Sequence, residues 1–310
     1  MPPILPSGIP MILGLYASLL LASAATPIAS DEAPINCDNC ASWNQPQAPF
    51  RIYGNTYYVG THGLSSVLIV TKAGLILLDG DLPQSVQQIA ANIKALGFDV
   101  HDVRWILNSH AHFDHAGGIA ALQRITGANV GASALGAAAL SIGALPADDP
   151  QFDSGKATRF PPVQHAQALL DRETVVLGDT TVTAHYTPGH TPGGTTWSWS
   201  SCDNIRCVDV VYADSLNPVS LGDFRYSDAA RSPTTAETLR HSIAVVRALP
   251  CNVMISVHPD ASGVLDKAAA NVRDPAKNAF LEPGACRAYA GDSDKLLDAK
   301  LKEENANNAH

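Results

Sequence analysis

The sequence predicts an α/β fold in which two β-sheets pack face to face between outer layers of helices. Two observations carry that expectation. Runs rich in Tyr, Val, Ile and Leu precede runs with helical apolar spacing, and this order of strands first and helices after occurs twice. At 310 residues, 46% of them hydrophobic, the chain can bury a sizeable core. No low-complexity tract or long linker divides it, so residues 26–310 are expected to form a single domain.

In the first half, residues 51–60 and 65–78 read as antiparallel strands with turn residues between them, and Asp79-Gly80-Asp81 ends that segment. A helix is expected from Pro83, with Val86, Ile89, Ala90, Ile93 and Leu96 on one face and Gly97 as its stop. The apolar run 103–107 reads as a buried strand leading into Ser109-His110-Ala111-His112-Phe113-Asp114-His115. A helix starting near Asp114 suits Ile119, Leu122 and Ile125, a short strand follows over 128–131, and a looser segment, 143–170, links the halves. In the second half, 173–186 is strand apart from a turn at Gly178-Asp179, and 195–200 and 208–213 are strands again. Trp197 and Trp199 alternate along one of them as packing residues. Pro233, after the cap-like Ser232, is expected to open a helix carrying Leu239, Ile243, Val246 and Leu249. Residues 253–257 form the final core strand, and a polar, Ala- and Lys-rich helix from about Asp292 ends the chain.

The chemistry concentrates where residues 103–107 end. Three histidines and an aspartate fall within the six residues from His110 to His115. Imidazole nitrogen and carboxylate oxygen are ligands that Zn²⁺ accepts, and a strand-to-helix turn can aim them into one small volume. Two further histidines share this logic. His190 lies between Pro-Gly breakers in residues 186–194, and His258 ends a buried strand just before Pro259. Asp79, also at a strand end, is a candidate to accept a hydrogen bond from a ligand imidazole and fix its tautomer. His62, His101, His165, His185, His241 and His310 have no ligand spacing and are expected at surface or loop positions, and the Asp148-Asp149 pair is expected to be solvated.

With 20 Lys and Arg against 29 Asp and Glu, a formal charge of -9, the chain lacks the basic surface that nucleic-acid binding requires. Residues 10–25 form an apolar run of signal-peptide length with small residues at Ala24 and Ala25, so residues 1–25 are expected to direct export; the alternative is a membrane anchor, for which the run is short. Six cysteines, all downstream of it, fit an oxidising compartment. Spacing expresses only preferences among their pairings: Cys202 with Cys207 across a turn, Cys251 with Cys286 around a long loop, and Cys37 with Cys40 as a local bond, although C-x-x-C spacing also occurs in redox and zinc motifs.

The His-x-His-x-Asp-His signature, with later histidines in separate loops, resembles the metallo-β-lactamase fold superfamily over nearly all of the chain after residue 25. Thioester hydrolases, lactonases, sulfatases and RNA-processing nucleases share that signature. His115 and His258 stand where a second metal takes ligands, and no cysteine falls in residues 211–216; with the 212–216 run, the 249–259 block and the 286–290 ending, the chain resembles subclass B3 of the metallo-β-lactamases. The resemblance implies a four-layer αββα sandwich of two mixed β-sheets flanked by helices. It implies two Zn²⁺ per chain, one held by His110, His112 and His190 and the other by Asp114, His115 and His258. It implies hydrolysis of the β-lactam ring of penicillins, cephalosporins and carbapenems by a metal-bound hydroxide, and hence antibiotic resistance. Asp114 would orient the hydroxide or pass its proton, and Ser215 and Asn217 would meet the substrate carboxylate. Asn217 stands where the subclass often has a hydroxyl. The partner is then a small-molecule β-lactam, with no nucleic acid and no membrane after signal removal, and the protein a periplasmic or secreted monomer. The rival readings are a secreted di-zinc thioesterase or lactonase of the glyoxalase type, marked by a metal-bridging Asp214, and a catalytically silent zinc-stabilised binding protein.

Overall fold

The computed structural model describes residue 1 and residues 33–152, 159–204, 206–228, 235–274 and 276–307. The apolar run at 10–25, the helix start at Ser232-Pro233 and His310 lie outside the described residues. One sheet is ordered β1 (Phe50–Tyr53), β2 (Thr56–Tyr58), β3 (Val67–Thr71), β4 (Gly74–Leu78), β5 (Val103–Leu107), β6 (Asn129–Ser133), β7 (Gln167–Leu169). The other runs, in reverse order, through β8 (Thr174–Leu177), β9 (Thr180–Tyr186), β10 (Thr195–Cys202), β11 (Cys207–Ala213) and β12 (Val253–Ser256). Both sheets are mixed. Strands β4 to β7 pair in parallel, as do β11 and β12, and the other pairs are antiparallel.

Side-chain alternation builds the layers. On β3 and β4, Val67, Ile69, Ile76 and Leu78 meet Val182, Trp197, Trp199, Val210 and Ile255 of the other sheet, while Leu68, Leu75 and Leu77 face the opposite way. That outer face packs on α2 (Val86–Ala95) and α4 (Ile119–Thr126) through Val86, Ile89, Ile93, Ile119 and Leu122. The outer face of the second sheet, Val211, Ala213 and Met254, packs on α6 (Ala236–Ala248) and α9 (Ala285–Asn307) through Leu239, Ile243, Val246 and Leu297. The result is the four-layer αββα sandwich. Both faces of the central strands are covered, which is why they read as near-continuous apolar runs.

Several expectations are corrected. The helix expected from Asp114 is two helices, α3 (Phe113–Ala116) and α4, separated at Gly117-Gly118. There the backbone passes against the 79–82 turn: a Cβ on Gly118 would lie 2.2 Å from the Gly80 carbonyl oxygen, and Gly80 N–H donates to His115 O at 2.9 Å. The segment 143–170 is less loose than expected, since it contains β7, and α5 (Ala134–Ile142) precedes it, capped by Ser133 Oγ on Gly136 N–H. A further helix, α8 (Val264–Arg273), follows α7 (Pro259–Ser262), and α9 begins seven residues before Asp292 because its first turns are anchored by Cys286 and Ala290 in the core. Helix α6 is capped by Thr235 Oγ accepting from Thr238 N–H. The cysteines pair as Cys37–Cys40, Cys202–Cys207 and Cys251–Cys286. None of the described helices is long and apolar enough to cross a membrane.

Candidate metal centre

Strands β4, β5, β9, β11 and β12 all end at one edge of the sandwich, the carboxyl edge where α/β sheets bind ligands. The loop after β5 carries His110, His112, Asp114 and His115, the β9–β10 turn carries His190, and His258 follows β12. The loop after β5 is pinned from both sheets. Ser109 N–H and Oγ donate to the two Asp79 carboxylate oxygens at 2.7 and 2.6 Å, Thr195 N–H donates to Ser109 O at 2.8 Å, and Trp197 Nε1 donates to Asn108 O at 3.2 Å.

These residues form two groups. His110, His112 and His190 bring one ligand atom each to within 4.8 Å of one another, and Asp114, His115 and His258 do the same. Four of the five histidines are held through the ring nitrogen that does not face the group. His110 Nδ1 lies 2.6 Å from Asp214 Oδ1, His112 Nε2 3.2 Å from Asp149 Oδ1, His190 Nδ1 2.7 Å from Asn217 O, and His258 Nδ1 3.2 Å from Gly63 O. These partners select the tautomer and leave the other nitrogen with its lone pair turned to the group. Asp114 Oδ2 is 3.4 Å from His115 Nε2 and 3.5 Å from His258 Nε2.

Electrostatics keeps most of the set ready to donate. Burial holds His110 well below its ordinary value, His115 down to about 3 and His190 down to about 4. His112 differs: burial pulls it down, but the charge and hydrogen bond of Asp149 outweigh that and raise it. Burial pushes Asp114 up, yet the neighbouring histidines, His115 foremost, outweigh it and leave a lowered carboxyl. His110 Nε2 and both His115 ring nitrogens are buried without a hydrogen-bond partner. Such orphaned atoms are costly unless something else satisfies them. A cation between the converging nitrogens and the Asp114 carboxylate would do so, and a donor set of imidazole and carboxylate fits zinc or a similar divalent ion.

Of the two strand-end aspartates, Asp214 and not Asp79 meets a ligand imidazole. Asp79 Oδ2 stands 3.9 Å from His115 Nδ1, beyond a hydrogen bond, and its carboxylate instead gathers Asn108, Ser109 and Tyr212 donors. Burial lifts it to about 7 against those bonds. The imidazole partner is Asp214, fully buried behind His110, and burial raises its carboxyl well above the usual range. Space for it exists because residue 194 is glycine: a Cβ there would lie 2.5 Å from Asp214 Oδ2. Asp149, expected in solvent, is 3% exposed and bonded to His112. His62 is exposed, as expected.

A cavity of about 880 Å³ opens over both groups. His112, Asp114, His190 and His258 reach it, and Ser215 and Asn217 line it; His110 and His115 lie buried beneath. Trp43, Leu145, Val219, Leu221 and Leu296 give it apolar walls, and none of the described residues lining it is Lys or Arg. Gln151, whose Nε2 is 3.2 Å from His190 Nε2, and Tyr289, whose hydroxyl donates to Asp214 O at 2.9 Å, also reach the cavity, and neither was among the expected site residues. Gln151 carried no sequence signal beyond its loop position, whereas Tyr289 stands in the 286–290 ending that carries the resemblance.

The fold and the two histidine-rich groups define a metal-dependent hydrolase. The sequence pattern of the metallo-beta-lactamase superfamily matches residues 59–255, and the chain belongs to that superfamily. Among solved structures it is similar to the Rm3 metallo-beta-lactamase (47% identity, 87% of this chain and 100% of that one, TM-score 0.84). It is also similar to MEM-A1, a subclass B3 metallo-beta-lactamase isolated from a soil metagenome library (46% identity, 86% and 99%, TM-score 0.82). Among curated proteins, a hydroxyacylglutathione hydrolase of Anaeromyxobacter dehalogenans (strain 2CP-C) is 31% identical over 170 residues, 50% of this chain and 52% of that protein. The chain spans about half the length, or less, of the curated relatives it matches.

Proposed function

We propose that this chain hydrolyses the ring amide of β-lactam antibiotics, with His110, His112 and His190 holding one Zn²⁺ and Asp114, His115 and His258 a second. The observation that carries this reading over a glyoxalase-type thioesterase is the position of Asp214. Its Oδ1 faces His110 Nδ1 at 2.6 Å, behind the ligand set, where a bridging carboxylate would have to lie between the groups. The B3 metallo-beta-lactamases it resembles along almost their whole length support the same reading. The curated relatives favour the thioesterase alternative. Against it, a glutathione thioester carries two carboxylates, and the described cavity lining offers them no cationic side chain. A β-lactam carries one, which Ser215 Oγ and the Asn217 amide can meet as neutral donors.

Bound zinc supplies Lewis-acid polarisation of a carbonyl and lowers the pKa of water towards about 7. The chain's own residues do the rest. The Asp114 carboxylate, whose lowered pKa favours the ionised form, orients the attacking water and takes its proton as the C–O bond forms. When the ring C–N bond breaks, that proton goes to the departing nitrogen. Trp43, Leu221 and Leu296 give apolar walls against which the substrate's non-reacting arms rest. We further read residues 26–310 as one domain acting as a monomer, and place it in the periplasm or outside the cell, an oxidising location that the three disulfides support.

The test is loss of ring absorbance of a penicillin, a cephalosporin and a carbapenem on zinc-loaded protein. Turnover abolished by EDTA and indifferent to serine-directed inhibitors is expected. Folded, metal-replete protein without turnover overturns the reading.

A further inference from the structure

We propose that residues 37–47, closed at their start by the Cys37–Cys40 disulfide, act as a buttress that sets the metal affinity of the Asp114, His115 and His258 group, with Trp43 and Gly63 as its positioning residues. The inference rests on the two-metal reading above.

Helix α1 (Cys40–Trp43) is a single turn, too short to persist on its own hydrogen bonds. External ties hold it instead. The disulfide closes the turn before it, Gly63 N–H donates to Trp43 O at 3.0 Å, and His62 N–H donates to Gln45 O at 2.9 Å. Farther on, Ser85 Oγ donates to Asn44 Oδ1 at 2.6 Å and Asn92 Nδ2 to Gln47 O at 3.0 Å. The segment is therefore locked to the loop over 60–65 and to α2.

That lock ends on His258. Its side chain is 35% exposed, against 9% for Asp114 and 0% for His115, so packing constrains it least of its group. Two contacts fix it, one from the loop that the buttress holds and one from the buttress itself: its Nδ1 lies 3.2 Å from Gly63 O, and its ring centroid lies 5.3 Å from that of Trp43. Gly63 and Trp43 interlock. A Cβ on Gly63 would stand 2.6 Å from Trp43 Cδ1 and 2.7 Å from Trp43 Cα, so Trp43 cannot shift without moving the carbonyl that orients His258. The other group has its outer partners elsewhere, on Asp214, Asp149 and Asn217. Disturbing the buttress must then separate the two metal affinities. A residue serving only general stability would lower both.

The test is zinc titration into metal-free protein, competed with a chromophoric chelator, for the native chain, Trp43→Ala, Trp43→Phe and Cys37→Ser/Cys40→Ser, with His258→Ala as the reference for loss of one site. Trp43→Ala is expected to weaken one of two binding events by about 10- to 100-fold, the usual cost of losing an outer partner of a ligand, and to leave the other unchanged. Trp43→Phe restores most of the loss, the double cysteine variant weakens the same event, and Trp43→Ala adds nothing in a His258→Ala background. Circular dichroism establishes folding, and if Trp43→Ala does not fold, Trp43→Phe and the cysteine pair decide, with a weakening of one event in the pair required. Equal affinities in native and variant chains, or parallel loss of both events, overturn the proposal alone. A native chain that takes up a single ion overturns the two-metal reading and the proposal with it.

Discussion

Replacing Asp214 by asparagine separates the two enzyme readings by size and direction of effect. Asp214 Oδ1 and His110 Nδ1 are 2.6 Å apart, with side chains 0% and 1% exposed, so this hydrogen bond is out of reach of water, and a zinc ion on the other His110 nitrogen would favour the carboxylate form and make the bond charge-assisted. Hydrogen bonds to charged groups contribute about 1.5–3 kcal/mol, which at ~1.4 kcal/mol per decade is about 10- to 150-fold in affinity. Asparagine keeps the shape and an oxygen that can accept from His110 Nδ1–H, so the loss belongs near the lower end. The expected result is zinc affinity at the three-histidine group weakened about 10-fold, with the Asp114 group unaffected, read by competition with a chromophoric chelator. Affinity unchanged at both groups would falsify the assignment of Asp214 as the partner that orients His110. Joint collapse of both affinities would instead mark a bridging ligand, and with it the thioesterase.

Asp149 gives a pH prediction. Protons compete with metal for a ligand imidazole, and Asp149 raises His112 while burial takes His190 down to about 4. Affinity at the three-histidine group should therefore fall as pH drops through the raised His112 value, while His190 is still neutral. Asp149→Asn removes the raising charge, so the midpoint of that fall moves to lower pH in chelator competition across a pH series; a midpoint that stays or rises contradicts the assignment. Ser215→Ala should raise KM for β-lactams with little change in kcat in steady-state assays, because a donor to the substrate carboxylate acts before and during ring opening alike; a fall in kcat at constant KM would place Ser215 in the chemistry. Gly118→Ala should destabilise the fold by about 1–3 kcal/mol, since its Cβ would meet the Gly80 carbonyl at 2.2 Å and backbone cannot yield cheaply. Urea unfolding with an unchanged midpoint would mean that the 79–82 turn and the start of α4 are not locked together.

The strands and the His110 to His115 cluster were legible because their signals are local or strongly periodic, whereas the sorting of six ligands into two groups came from the family resemblance. Residues 67–69 and 75–78 alternate between two buried faces, and His110 to His115 is a dense cluster. What stayed hidden depends on the fold bringing distant segments together. Asp79 and Asp214 look alike in sequence, each ending a strand, and only the stacking of the sheets puts Asp214 at 2.6 Å from an imidazole and Asp79 at 3.9 Å. Asp149 read as solvated because nothing local shows that its loop folds over His112. Trp43 reaches His258 from more than two hundred residues away. The break between α3 and α4 was written in Gly117-Gly118, but a glycine pair does not say which backbone approaches it. The early start of α9 is set by the core anchors Cys286 and Ala290, which lie before the Ala- and Lys-rich stretch from Asp292 that signalled the helix.

The most direct test of the central claim sets kcat/KM for a carbapenem and a penicillin against kcat/KM for a glutathione thioester on one zinc-loaded preparation. The buried, non-bridging Asp214 and a described cavity lining without Lys or Arg predict β-lactam turnover that exceeds thioester turnover by orders of magnitude and disappears with EDTA. Efficient, EDTA-sensitive thioester hydrolysis with intact β-lactams would contradict the account and return the chain to the thioesterase reading.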